Sequence, residues 1–147
     1  MRTIPAAVMT LLLALIPIAT SVSAEEAPAY RIIINPKNSA TSVDRTFLQD
    51  AFLKKTTRWG NGEVLRPADQ ATSSGTRKTF TQAVLGRSVG AVQAYWQQRI
   101  FSGRDVPPPE LESDDKVVAY VLKYEGAVGY VSRTANVGAA RTVGVSK

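Results

Sequence analysis

Residues 73–80 read SSGTRKTF, in a chain that has neither cysteine nor histidine. Ser73, Ser74 and Thr76 supply three hydroxyls, Gly75 a residue without Cβ, and Arg77 a permanent cation. From Thr76 onward the apolar residues recur at helical spacing: Phe80, Ala83 and Val84. The first N–H groups of a helix have no intrahelical acceptor, and the helix dipole places positive potential there. A phosphate or sulfate fits such a start. Ser74 and Thr76 could add hydroxyl donors, Gly75 lets the backbone come close, and Arg77 could add a charge-assisted contact. The plainer reading is ordinary helix capping, since Ser and Thr are the usual N-cap residues. The glycine spacing and Lys-Ser/Thr pair of a nucleotide-binding P-loop are absent.

Other chemistry finds weaker footing. With no imidazole, a nucleophilic Ser73 or Ser74 would need a lysine base, and Lys78 stands one turn after Ser74 without a visible orienting group. Glu110, Glu112, Asp114 and Asp115 flank a proline-rich loop and a helix start, where capping and solvation account for them. Asp69 is read as a turn residue in preference to a proton acceptor. Trp96 falls on an apolar stripe and reads as core, Tyr95 as partly exposed and Trp59 as a loop aromatic. Lys54, Lys55 and Arg58 read as a solvated, dipole-complementing helix end. No enzyme activity, cofactor or metal is expected.

Arg2, the apolar residues 9–18 with Thr10 and Pro17 as interruptions, and small residues at 22–24 compose a secretory signal peptide. The apolar run is shorter than the roughly 20 residues that span a bilayer. Residues 1–24 are therefore expected to be removed, leaving residues 25–147 as one domain in a periplasmic or secreted setting. The formal charge of the chain is +6 with its cations scattered, so nucleic acid is not an expected partner. Zero cysteines leaves folding to packing alone.

The elements that would position the cluster alternate along the chain. Residues 30–34, YRIII, predict a strand stopped by Asn35-Pro36. Asp44 caps a helix with Phe47, Leu48, Ala51 and Phe52 at helical spacing, and Asn61-Gly62 marks a turn. Residues 64–67 predict a brief strand. Gly86 stops the helix that follows the cluster. Ser88 caps the next, with Val89, Val92, Trp96 and Ile100 as its stripe and Gly103 at its end. Pro107-Pro108-Pro109 is a stiff connector. Ser113 or Asp114 opens a helix carrying Val117, Val118, Val121 and Leu122, and residues 127–131 predict a buried strand. Val143 and Val145 suggest a short edge strand. This alternation predicts an α/β fold, a small three-layer sheet with helices on both faces.

The stretch Ser73-Ser74-Gly75-Thr76-Arg77-Lys78-Thr79-Phe80, continuing through Val84-Leu85-Gly86, resembles the Ser-Gly-Thr-Arg-x-x-Phe segment of phosphate-binding proteins that feed ABC transporters. Ile32-Ile33-Ile34-Asn35-Pro36-Lys37-Asn38, residues 44–52 with Thr57-Arg58-Trp59, and Gly126-Ala127-Val128-Gly129-Tyr130-Val131 resemble further segments of that family in the same order. The resemblance implies one lobe of a type 2 periplasmic binding fold, in which a phosphate sits between two lobes. It implies Ser74, Gly75 and Thr76 as anion contacts, with Arg77 in the motif for ligand or for structure. Gln70 stands where such proteins often carry an arginine, and about half the family length is present, so weak binding is expected. The implied function is non-catalytic oxyanion recognition linked to phosphate transport. The implied partners are a small oxyanion and a membrane transporter, a sensor or a second copy of the chain. The alternative is a ligand-free interaction module derived from a solute-binding lobe.

Overall fold

A computed structural model describes Ser21 and residues 27–147. The signal-peptide reading, Ser21 apart, lies outside the described residues. Among them, no helix is long and apolar enough to cross a membrane.

The sheet is mixed, with strand order β2-β7-β1-β6-β3. β1 (Tyr30–Ile34) lies at its centre, antiparallel to β6 (Ala127–Ser132) on one side and to β7 (Arg141–Ser146) on the other. β2 (Ser42–Asp44) and β3 (Arg66–Pro67) form the edges and run parallel to their neighbours. The C-terminal valines therefore do not make an edge: β7 is an inner strand between β1 and β2, and only Val143 of the pair is fully buried. Its small polar composition concealed this, because one face of β7 is covered and the other is open.

Strand alternation divides the side chains between two cores. Ile32 and Ile34 of β1, Val128 and Tyr130 of β6 and Val143 of β7 face α1 (Arg45–Phe52), α2 (Gly75–Phe80) and α3 (Val89–Phe101). Ile33, Ala127 and Val131 face α4 (Asp114–Lys123), which contributes Val117 and Val121. The three layers predicted from alternation are present, with helices on both faces of the sheet.

Local signals fix the helix ends. Asp44 caps α1 by accepting from the N–H groups of Thr46 and Phe47 at 2.7 and 3.2 Å. Ser88 and Ser113 cap α3 and α4 in the same way, through Ala91 and Lys116. Asn35, just past β1, donates its amide to the carbonyls of Val121 and Leu122 at 2.9 and 3.2 Å, tying the end of α4 to the central strand.

After α2 the chain winds one wider turn, a π-helical segment over Thr81–Leu85, before Gly86 leaves the helix at φ 63°. The extra residue of a π turn shifts the phase of every side chain beyond it. Phe80, Thr81, Val84 and Leu85 are consequently buried, while Ala83, expected on the apolar face, is exposed.

Candidate functional site

α2 begins beneath a two-stranded parallel ribbon of β4 (Asp69–Gln70) and β5 (Glu110–Leu111). Neither strand has the apolar alternation that would announce it. Their backbones join where Asp69 N–H donates to Pro109 O and Ala71 N–H to Leu111 O, each at 2.9 Å. The proline-rich connector thus ends by bringing Glu110 and Asp114 against the start of α2.

Arg77 is the first departure from expectation. It was a candidate anion contact, yet it is 2% exposed and its guanidinium is committed to the protein. Nη1 donates to Gln70 O at 2.9 Å and lies 2.9 Å from Glu110 Oε1 as an ion pair, and Nη2 lies 3.4 Å from Asp69 Oδ2. A planar fork of donors suits such a divided arrangement, and a lysine could not reproduce it. Arg77 serves the structure below the turn.

Asp69 is the second. It is buried in β4, where it accepts from the Tyr130 hydroxyl through Oδ1 and from Gln70 N–H at 2.9 Å. Burial pushes its carboxyl above the usual range, and the Arg77 charge with the hydrogen bonds from Tyr130 and Gln70 pulls the other way. Burial also pushes the Tyr130 phenol far up, and the neighbouring Asp69 adds to the effect.

Gln70 links this cluster to the cap. Its amide donates to Tyr130 O at 2.9 Å and to Asp114 Oδ1 at 3.0 Å, and its Oε1 accepts from Ser74 Oγ at 2.6 Å. Asp114 in turn accepts from the backbone and hydroxyl of Ser132 at 3.2 and 2.6 Å. Replacing Gln70 by a cation would break the amide's double role as donor and acceptor.

The residue types expected at the anion site are brought together at one turn. Ser74 is the N-cap of α2, and its Oγ accepts from Arg77 N–H at 3.2 Å while donating to Gln70. Its hydroxyl proton is therefore already placed inside the protein. Gly75 is exposed, and no atom lies within 4 Å of the position a Cβ would take. Thr76 is half-buried. Among the described residues, the N–H groups of Gly75 and Thr76 and the Thr76 hydroxyl have no protein acceptor.

Tyr130 and Ser132 carried no site role in the sequence, and Glu110, read there as a solvated carboxylate, is instead an ion-pair partner of Arg77. A tyrosine in an apolar strand needs a partner for its hydroxyl, and a buried Asp69 would have supplied one. Glu110 carried no comparable signal, because its approach depends on the ribbon.

No protein-family model matches the chain, and no curated protein matches it. Solved structures do. An ABC-type phosphate transport receptor from Vibrio cholerae superposes with a TM-score of 0.61 at 18% identity, covering 80% of this chain and 46% of that one. PstS from Borrelia burgdorferi gives 0.62 at 11% identity, covering 81% and 47%. A possible phosphate binding protein from Planctomyces limnophilus gives 0.59 at 21% identity, covering 81% and 42%. The chain is thus similar in fold to one lobe of such proteins and spans less than half their length.

Proposed function

We propose that this chain is an exported, non-catalytic binding protein that recognises phosphate or a similar oxyanion weakly at the opening of α2. The observation that carries the reading is the pair of unpaired N–H groups at Gly75 and Thr76, beside a free Thr76 hydroxyl. These donors belong to the first turn of the helix, where its dipole is positive, and the glycine leaves the approach open. Ser74 can join them by turning its hydroxyl from Gln70 to the anion, a stronger acceptor than an amide oxygen. Arg77 does not touch the ligand: it holds Gln70, and through it the cap, in position.

Weak binding follows from the charges. Arg77 is balanced by Asp69 and Glu110, so among the described residues it brings no uncompensated charge to the anion from beneath the turn. A hydrogen bond to a charged group contributes about 1.5–3 kcal/mol at most, and immobilisation offsets much of that. A Kd of roughly 1 mM is expected. Phosphate titration followed through the amide resonances of Ser74, Gly75 and Thr76 tests this directly. Saturable shifts that vanish in Thr76→Val support the reading. Unmoved amides at roughly ten times that concentration remove it.

A ligand-free interaction module is the second reading. It is favoured by the commitment of the Ser74 hydroxyl and the Arg77 guanidinium to the protein itself. Under that reading the anion shifts are absent, and a transporter, a sensor or a second copy of the chain is the partner.

A further inference from the structure

The C-terminal end of α3 is apolar where it should be polar. Ile100 is 51% exposed, Phe101 97% and Val106 62%, all within residues 100–106. The expected apolar stripe of this helix reaches the core only through Val92 and Trp96, so its last turn stands clear of the sheet. Gly103, at φ 67°, then turns the chain back toward the connector.

Cations surround this tip. α3 itself, VGAVQAYWQQRIF, has no acidic residue. Arg87 and Arg99 lie over the Tyr95 ring at 5.6 and 5.2 Å. Arg104 joins Tyr95, Gln98, Arg99 and Ser102 around a shallow concavity of about 200 Å³. Tyr95 donates its hydroxyl to Leu53 O at 2.8 Å, which brings Lys54 and Lys55 alongside the helix. Asp105 is the carboxylate within the tip, and it lies 3.9 Å from Lys54, while Asp50 stands a turn earlier on α1.

We infer that this tip docks on an anionic lipid surface. Phe101, Ile100 and Val106 enter the interfacial region, and Arg99 and Arg104 hold headgroup phosphates at its rim. Ile100 and Phe101 project from the helix end and Val106 from the segment just after it, instead of lining a groove, which favours a deformable lipid phase over the shaped pocket of a protein partner. Arginine suits the rim, since its fork matches phosphate oxygens and its stem can lie along apolar surface. A small apolar wedge and a basic rim are each too weak alone, and together they give reversible membrane attachment. This inference goes beyond the oxyanion reading and does not depend on it.

The test places a reporter at the tip of the full chain. Phe101→Trp puts an indole at a position that is almost wholly exposed, against the buried background of Trp59 and Trp96. With vesicles of equimolar phosphatidylglycerol and phosphatidylcholine, its emission shifts to the blue and is quenched by brominated acyl chains. Phosphatidylcholine alone produces neither change. Adding Arg99→Gln and Arg104→Gln raises the lipid concentration needed by about 30-fold, roughly fivefold for each cation. Because the readout is local, attachment of the protein through its apolar N-terminal residues would leave it unmoved. The inference is overturned if the indole keeps the emission of a water-exposed residue. It is equally overturned if neutral vesicles shift it as much as anionic ones, or if a protein shields the tip while vesicles do not.

Discussion

Arg77 illustrates how a residue of the right type in the right motif can have a different task. Its side chain lies among Asp69, Glu110 and the Gln70 carbonyl, with Nε buried and without an acceptor. Arg77→Met is expected to cost about 3–5 kcal/mol of stability, because it leaves the Asp69 carboxylate buried without its charge partner. Urea denaturation reads that loss. The sign of its pH dependence follows from Asp69, whose folded pKa already lies above the ordinary value and rises further without Arg77. A raised carboxyl contributes stability that is complete below the unfolded pKa of about 3.9 and is lost as pH rises through the folded value. The gap between wild type and Arg77→Met therefore widens from acid toward neutral pH. Asp69→Asn in the same background narrows it. A gap independent of pH would mean that the cost is one of packing.

At the scale of elements, close approach explains two glycines. A Cβ on Gly129 would meet Val117 Cγ1 at 2.6 Å, so this strand position is what lets α4 lie flat on β6. Gly129→Ala is expected to cost about 1–3 kcal/mol through displacement of α4. A Cβ on Gly126 would lie 1.8 Å from the Val64 carbonyl, where no side-chain rotation gives relief. Gly126→Ala is expected to be the worse of the two, and thermal melting of both variants ranks them. Helices were legible in the sequence because capping residues and apolar spacing are local signals. Asp44, Ser88 and Ser113 each cap the helix that follows them. The β4–β5 ribbon was not legible, since Asp69-Gln70 and Glu110-Leu111 become strands only by meeting each other. The π turn escaped for a similar reason: its extra residue is favoured by packing of Phe80 and Val84, not by composition. Ser74, Gly75 and Thr76 were legible as a helix start, whereas the inward commitment of Ser74 and Arg77 required the neighbours that only the fold supplies.

Across the whole molecule, burial raises the phenols of Tyr30, Tyr120 and Tyr130 above their ordinary value. The unfolded chain ionises near pH 10, whereas these groups give up their protons at higher pH in the fold. Stability is therefore complete below that point and falls as pH rises past it. Phenolate absorbance from Tyr130 is expected to appear only together with loss of near-ultraviolet dichroism, as one alkaline transition. Ionisation of Tyr130 ahead of unfolding would show that its burial is incomplete. The central position of β1 has a consequence for how the chain is made. Its two flanking strands are both supplied from residues 127–146, far downstream in the chain. During synthesis the Tyr-Arg-Ile-Ile-Ile segment has neither of its strand neighbours until residues 127–146 have been made. Such distant pairing makes folding slow and leaves a sticky ribbon uncovered meanwhile. This sheet cannot assemble from β1 onward, so whatever engages the chain before residues 127–146 have been made meets an open polypeptide.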